Sequence, residues 1–339
     1  MNVAKAWASQ LDDYVIDLAW SPDSGLLAAA SVAGGVTLFG ADGALRHSLP
    51  GHADGANAVA FAPAGSAPSL ASGGQDGAVR FWDPATGAQT AEAVLGHAWI
   101  ENLAWRPAGA GSPGAVAAAS GRDLVLVSPE GSSKRPFKTA PKTLSALAWH
   151  PGGGAIAAGW FGGVCVWDSD DFHAQREYGY SSAIEALVWS PDNRWLVAGA
   201  QDNAVHLWIP EEDLEFHMSG YETKVRELSF SSDSRWLATG GARDACVWDC
   251  SGAGPEGREP VALPHTGRVC ATAYQRSHDL LATAAQDKEI CLWLPTQRNP
   301  MVAAVKLNAP ASALAWSPDD RLLAIGSQSG GVLVLKVDL

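Results

Sequence analysis

The sequence predicts an all-β fold made of repeated units, and three observations support this prediction. A segment of alternating apolar residues that ends in an aromatic residue recurs along the whole chain. Turn signals separate short apolar runs at intervals of roughly 8–12 residues, and no segment holds the helical period of about 3.6. The 36 Gly and 15 Trp residues indicate many turns around a core of large flat side chains.

The recurring segment sets the length of one unit. It reads Ile-Asp-Leu-Ala-Trp-Ser-Pro-Asp at residues 16–23, and the segments at 186–192 and 313–319 also end in Trp-Ser-Pro-Asp. Its terminal aromatic occurs at Trp20, Phe61, Trp105, Trp149, Trp189, Phe230, Tyr274 and Trp316. The mean spacing is about 42 residues, close to the length of a four-strand repeat.

Each unit continues with three further predicted strands. The second is short and apolar, as at residues 70–74, and a turn with Asp or Gly follows, as at 75–77. The third often ends in Trp, at Trp82, Trp167, Trp208, Trp248 and Trp293. A fourth, less regular strand closes the unit, so the pattern predicts four-stranded antiparallel sheets.

These residues resemble the WD40-repeat β-propeller family. Trp-Asp occurs at residues 82–83, 167–168 and 248–249, Gly-His occurs at 51–52 and 96–97, and the similarity covers nearly the whole chain. It implies one domain over residues 1–339 and a non-catalytic scaffold that binds a protein or peptide. Eight terminal aromatics predict an eight-bladed propeller, with seven blades as the alternative.

The chain ends suggest how the ring closes. Residues 311–337 supply three strands of the last blade, whereas residues 2–10 precede the first complete unit. We expect residues 3–9 to form the outer strand of the last blade, which also covers an open sheet edge.

The resemblance also implies buried hydrogen-bonded tetrads of His, Ser or Thr, Asp and Trp. Two complete sets are His52, Ser72, Asp76 and Trp82, and His265, Thr283, Asp287 and Trp293. Blade five keeps Asp202 and Trp208 without the His, and in blade six Tyr221 replaces it. A His between a carboxylate and a hydroxyl resembles a catalytic triad, but here it is interpreted as structural.

Two tryptophans fall outside the repeat positions and mark a candidate docking surface. Trp99 lies in a loop that leads into a first strand, and Trp160 lies with Phe161 between second and third strands. They form either an exposed aromatic patch or local packing around blade three, where Val127 replaces the repeat Trp.

The mouth of the central channel supplies further candidates. The position four before each terminal aromatic, here called the channel position, differs from unit to unit: Ile16, Asn57, Glu101, Ser145, Glu185, Arg226, Cys270 and Ser312. The predicted partner-binding residues are Trp99, Glu101, Trp160, Phe161, Tyr180, Glu185, Tyr221, Arg226 and Arg268.

Charge and composition exclude several classes of function. The chain has 23 Lys and Arg against 36 Asp and Glu, a net charge of −13 that disfavours nucleic acids and anionic membranes. Five Cys do not suit a disulfide scaffold, no zinc-binding spacing occurs, and no secretory signal or membrane span is found. We therefore expect a cytoplasmic protein without metal or cofactor, forming a monomeric ring by itself.

Two other functions stay open at this point. An enzyme or small-ligand binder could use carboxylates at the channel mouth, where Asp17, Glu101, Glu185 and Glu227 fall. A structural subunit of a larger assembly would need a broad apolar rim, and the predicted outer strands are amphipathic.

Overall fold

A computed structural model describes residues 2–66, 69–108, 114–134 and 137–338. The regular structure in these ranges consists of β-strands joined by turns. No helix in the described chain is long and apolar enough to cross a membrane.

The strands of the first half run as far as residue 149. They are β1 (Asn2–Gln10), β2 (Val15–Trp20), β3 (Leu26–Ser31), β4 (Val36–Gly40), β5 (Leu45–Leu49), β6 (Ala56–Phe61), β7 (Leu70–Gly74), β8 (Ala78–Trp82), β9 (Gln89–Val94), β10 (Ile100–Trp105), β11 (Val116–Ser120), β12 (Asp123–Val127), β13 (Ser133–Lys134) and β14 (Leu144–Trp149).

The strands of the second half begin with two long ones. They are β15 (Ala155–Asp168), β16 (Ala174–Trp189), β17 (Leu196–Ala200), β18 (Val205–Ile209), β19 (Leu214–Met218), β20 (Leu228–Phe230), β21 (Trp236–Thr239), β22 (Asp244–Asp249), β23 (Val261–Pro264), β24 (Val269–Tyr274), β25 (Leu281–Ala285), β26 (Glu289–Trp293), β27 (Met301–Lys306), β28 (Ala311–Trp316), β29 (Leu322–Ser327) and β30 (Gly331–Asp338).

Antiparallel sheets of four strands dominate the fold. Unit one is β2 to β5, unit two is β6 to β9, and unit three is β10 to β13. Units six and seven are β20 to β23 and β24 to β27, and unit eight is β28 to β30 together with β1. The prediction of an all-β propeller with four-stranded antiparallel blades is confirmed.

Units four and five share one six-stranded sheet, which runs from β14 to β19. Strand β15 reverses direction within its length. The residues that flank its two ends are bonded to each other, since the Ser169 N–H donates to the Gly154 carbonyl at 3.0 Å. Residues 156–160 of β15 pair with β14, and residues 161–167 pair with β16. The later part of β16 then pairs with β17. The strands form seven sheets, so the structure has seven blades, which was the stated alternative to eight. The six-stranded sheet contains two of the eight repeat units of the sequence.

The N-terminal strand closes the ring as expected. β1 pairs antiparallel with β30, from Asn2 opposite Asp338 to Gln10 opposite Gly331, with an irregularity between Lys5 and Trp7. The Trp7 Nε1–H donates to the carbonyl of Ala41 in unit one at 3.0 Å, so the closing strand also contacts the first unit.

The core lies between neighbouring units. The second strands carry small residues, such as Ala117, Ala118 and Ala119, which are fully buried. Larger rings also pack between units, and Phe81 of unit two lies edge-on against Trp105 of unit three with centroids 6.0 Å apart. Because a unit cannot bury both faces alone, each one depends on its neighbours for its core.

Four of the five terminal tryptophans also bond to the preceding unit. Their Nε1–H groups donate to backbone carbonyls at 2.8–3.0 Å, in the pairs Trp20 to Ala315, Trp105 to Ala60, Trp149 to Ala104 and Trp316 to Ala273. Each of these four tryptophans therefore supplies both buried area and a directional link between sheets, whereas Trp189 Nε1 is buried without a hydrogen-bond partner.

The recurring Ser-Pro-Asp and Ser-Ser-Asp segments form one kind of turn. The Ser21 hydroxyl donates to Asp23 at 2.6 Å and accepts the Leu26 N–H at 2.8 Å. Equivalent pairs of bonds are made by Ser190, Ser231 and Ser317. The serine and aspartate side chains of the motif form hydrogen bonds that fix the turn between first and second strands. Every unit that needs this turn can use the same motif, which explains its repetition.

Deletion of residues 2–10 should lower the melting temperature by roughly 5 °C. The loss is expected because the deletion exposes β30 as an edge and removes the Trp7 contacts with unit one. Thermal unfolding followed by circular dichroism measures the effect. A peptide of residues 1–10 added in excess should restore part of the loss, whereas a scrambled peptide should not. An unchanged melting curve for the truncated chain would contradict closure by β1.

Candidate functional site

Two sets of loops interlock on one face of the ring, which we call the top face. They are the loops that lead into first strands and the loops between second and third strands. Backbone bonds of 2.9 Å join them, in the pairs Gln75 N to Gly55 O, Gln201 N to Ala183 O and Gln286 N to Arg268 O. These bonds hold the top-face loops to the sheets.

The first predicted tetrad forms in unit two. The Trp82 Nε1–H donates to Ser72 Oγ at 2.9 Å, and this Oγ lies 2.9 Å from His52 Nε2. His52 Nδ1 lies 2.9 Å from Asp76 Oδ1, so a neutral His with its proton on Nδ1 satisfies the contacts with Asp76 and Ser72. Burial lowers the pKa of His52, which favours this neutral form. A Cβ on Gly74 would lie 2.3 Å from the His52 ring, so this position requires glycine.

The second tetrad forms in unit seven with one difference. Trp293 Nε1–H donates to Thr283 Oγ1 at 2.7 Å, and His265 Nε2 lies 2.7 Å from the same oxygen. The Asp287 carboxylate is 3.5 Å from His265 Nδ1 because it accepts the backbone N–H groups of Thr266 and Gly267 instead. Asp287 therefore secures the loop more than it orients the His.

Neither tetrad can act as a catalytic triad. Ser72 and Thr283 are completely buried, and each hydroxyl accepts a bond from a tryptophan. A nucleophile must reach its substrate, whereas these hydroxyls are enclosed between sheets. The geometry supports the structural interpretation.

Tyr221 takes part in the same kind of network in unit six. Its hydroxyl lies 3.0 Å from Thr239 Oγ1 and accepts the Trp248 Nε1–H at 3.0 Å. The side chain is buried, and burial raises the pKa of its hydroxyl. Tyr221, which was predicted for the docking surface, replaces the tetrad His and is held between sheets.

Unit five lacks the tetrad hydroxyl. Tyr180 stands in the His position and donates to Asp202, while its ring lies 4.0 Å from the His206 ring. Ala198 occupies the serine position, and Trp208 Nε1 is buried without a hydrogen-bond partner. Trp208 is held instead by stacking, with its centroid 4.8 Å from that of Tyr178.

Most polar channel positions bond neighbouring units together. Four of them donate to the backbone carbonyl that immediately precedes the next channel position. The pairs are Asn57 to Ile100 at 3.2 Å, Ser145 to Ile184 at 2.5 Å, Cys270 to Ala311 at 3.3 Å and Ser312 to Val15 at 2.6 Å. These four side chains therefore link neighbouring units of the ring. They are engaged within the chain, although the channel mouth was expected to supply residues for docking.

Units five and six are joined by charge. Glu185 accepts the Arg226 Nε–H at 2.6 Å and lies 3.4 Å from Lys224 Nζ. Only 12% of the Glu185 side chain is exposed, whereas 56% of Arg226 is exposed. Both predicted docking residues are thus engaged with each other.

Two further channel carboxylates are partly buried. Asp17 accepts the backbone N–H groups of Leu18 and Val59, which links units one and two, and burial raises its pKa to about 6. Burial also raises the pKa of Glu227. Asp17 and Glu185, on which a catalytic channel would depend, are therefore occupied by bonds within the chain.

The surplus aromatic residues divide into two kinds. Trp99 is 50% exposed and Phe161 is 56% exposed. Trp160 is half-buried and packs against the core near Trp167, with centroids 6.4 Å apart. The exposed-patch interpretation fits Trp99 and Phe161, and the local-packing interpretation fits Trp160.

Of the remaining candidates, Glu101 is exposed beside Trp99. Arg268 is half-buried, and its carbonyl accepts the Gln286 N–H at 2.9 Å. The predicted docking surface over units three to six is therefore smaller than expected. Its exposed candidates whose side chains form no hydrogen bond or ion pair with a described residue are Trp99, Glu101 and Phe161.

One group of metal-capable side chains occurs among the described residues. Ligand atoms of Asp168, Asp171 and His173 lie within 4.8 Å of one another at the surface. Asp168 Oδ1 accepts the N–H groups of Asp170 and Asp171, and these bonds lower its pKa. The contacts describe a turn after a strand, and sequence spacing gave no sign of a metal site there.

The tetrad bond can be measured with a matched pair of variants. Trp82→Phe should lower the free energy of unfolding by about 1–2 kcal/mol more than Trp208→Phe, because only Trp82 donates a bond. Both rings are 1% exposed, so burial is comparable. Urea unfolding followed by fluorescence gives the difference, and equal losses would show that the tetrad bond adds nothing.

Comparison with known proteins agrees with this architecture. The family model "WD domain, G-beta repeat" matches residues 43–83, 173–208, 213–249 and 259–293. The crystal structure of the computationally designed Ika8 protein is similar, with a TM-score of 0.80 at 21% identity over 97% of this chain and 98% of that one. At this identity the likeness shows the fold alone. With these four matched repeats on a closed ring of four-stranded units, the chain is a β-propeller that contains WD40 repeats.

Proposed function

We propose that this chain is a protein-interaction scaffold whose partner docks on the top face of units three and four. WD40 propellers generally act as scaffolds for protein interactions. The observation that carries the choice of face is the exposure of Trp99 and Phe161, the only aromatic side chains classed as exposed among the described residues.

Exposed aromatic rings favour a binding role because they gain much when a partner covers them. Aromatic anchors are enriched among the few interface residues that carry most of the binding free energy. The other exposed large apolar side chains on the outer strands, Leu45, Val94, Leu214 and Met301, belong to four different units. They form no comparable aromatic site.

The loops that carry these rings are held in place. The Leu144 N–H donates to the Gly121 carbonyl at 2.7 Å, and Leu144 pairs with Trp160 beside Phe161. A pre-organised loop loses little conformational entropy when it binds, which supports tight docking.

We keep two finer expectations as part of this proposal. The scaffold is non-catalytic, which is supported by the burial of the tetrad hydroxyls and the engagement of Asp17 and Glu185. Its location is cytoplasmic, with which the five free cysteines are compatible.

The double substitution Trp99→Ala and Phe161→Ala should weaken partner binding at least tenfold without changing the melting temperature. Affinity capture with mass spectrometry first identifies proteins retained by the wild type. Titration of the purified partner then gives the dissociation constant. The matched control is Leu45→Ala with Met301→Ala, two exposed apolar side chains on outer strands. Equal affinity of the Trp99/Phe161 variant and this control would remove units three and four as the docking site.

A further inference from the structure

We propose that the partner presents an acidic segment with a large apolar side chain to units three and four. This inference rests on the proposed function and adds the chemistry of the partner. The recognising surface, called the aromatic–basic sector, consists of Trp99, Arg122, Lys138, Lys142 and Phe161.

Backbone contacts place these residues in adjoining loops. Ser120 Oγ–H donates to the carbonyl of Ala98, next to Trp99, at 3.5 Å. The carbonyl of Arg122 accepts the N–H of Ala140, which lies between the two lysines, at 2.8 Å. The lysine loop then leads into β14, which pairs with β15 just before Phe161. The three cations therefore belong to segments of the chain between Trp99 and Phe161 that bond to, or lead into, the elements beside the two exposed rings.

All three cations are exposed, and none forms an ion pair with a described residue. This differs from much of the basic surface of the chain. Carboxylates within 4 Å accompany Arg46, Arg80, Arg106, Arg194, Arg226, Arg235, Arg258, Lys306 and Lys336. Unpaired cations that converge on one sector of a chain with net charge −13 favour a negatively charged partner.

Few acids oppose these cations locally. The top-face segments of unit three contain Glu101, which is exposed, and Asp123, which accepts the Thr139 hydroxyl at 2.8 Å. Units six and seven also carry basic residues in top-face loops, namely Arg243, Arg268 and Lys288. Those loops contain more acids, namely Glu222, Glu227, Asp244 and Asp287, and no exposed aromatic ring. Units three and four are therefore the sector where apolar and basic character coincide.

An acidic protein segment suits this sector better than a nucleic acid. Aromatic rings and cations occur together in both kinds of site. A polynucleotide extends beyond one sector, however, and would meet the repulsion of a strongly acidic chain. A short acidic peptide interacts mainly with the nearby cations of the sector. Salt largely screens charges that lie more than about 8–10 Å away, so the net charge of the rest of the chain matters less for it.

The test uses a random 12-residue peptide library displayed on phage and panned against the full-length protein. Four versions are compared: the wild type, R122Q/K138Q/K142Q, the control K5Q/R276Q/R298Q and W99A/F161A. The control removes the same charge from exposed cations elsewhere on the ring. Melting temperatures verify that each version is folded. One selected peptide is then titrated by fluorescence anisotropy at two salt concentrations.

We expect peptides selected on the wild type and on the control to be enriched in Asp and Glu around a Trp, Phe, Leu or Met. R122Q/K138Q/K142Q should lose the acidic enrichment and bind the selected peptide at least tenfold more weakly. Higher salt should weaken wild-type binding.

Apolar peptides without acids that depend on Trp99 and Phe161 would overturn the acidic partner and keep the docking site. Enrichment unaffected by W99A/F161A, or no enrichment at all, would count against the docking site itself. Tighter binding of a labelled dT12 oligonucleotide than of the selected peptide would assign the sector to nucleic acid and overturn the proposal.

Discussion

The hydrogen bonds between neighbouring units at the channel are the constraint on which the rest of the structure depends. Each four-stranded sheet has two faces to bury, so it is stable only when both neighbours are present. Short donors at the channel positions tie first strands together, and Ser312 makes the last of these bonds to the Val15 carbonyl at 2.6 Å. The repeat tryptophans bond in the opposite sense, as Trp20 does to Ala315. The ring is thus held by directional bonds as well as by apolar packing.

This constraint decides which residues are left for function. Asp17, Ser145 and Glu185 have polar groups that could have faced a ligand, but each is engaged with a neighbouring unit. Because the channel side chains stabilise the ring, the top-face loops are the surface that we propose for recognition. In units three and four those loops expose Trp99 and Phe161. Rigid support and a variable surface are combined in one repeat, as is usual when loops carry function on a regular scaffold.

Much of the fold could be predicted from the sequence, because a terminal aromatic every 42 residues or so gives the length of the repeat unit directly. The tetrads were expected from the resemblance to the WD40 family, and the closing strand β1 was expected because the last unit had only three strands of its own. The shared sheet of units four and five was not, since β16 runs without a break from its pairing with β15 of unit four to its pairing with β17 of unit five. The candidate functional site was harder to predict than the fold. Tyr221 looks like a surface residue until its hydroxyl is seen to accept the Trp248 N–H, and exposure separates Trp99 from Trp160 only in three dimensions.

The account is tested most directly by hydrogen–deuterium exchange of the protein with and without its captured partner. It predicts slower exchange in residues 96–101, 120–123, 137–144 and 159–163, where the top-face loops of units three and four lie. Exchange in β1, in β30 and in the turns of the opposite face should not change. Protection confined to the opposite face, or to the closing strands, would contradict the claim that the ring is fixed by its own bonds and binds through these loops.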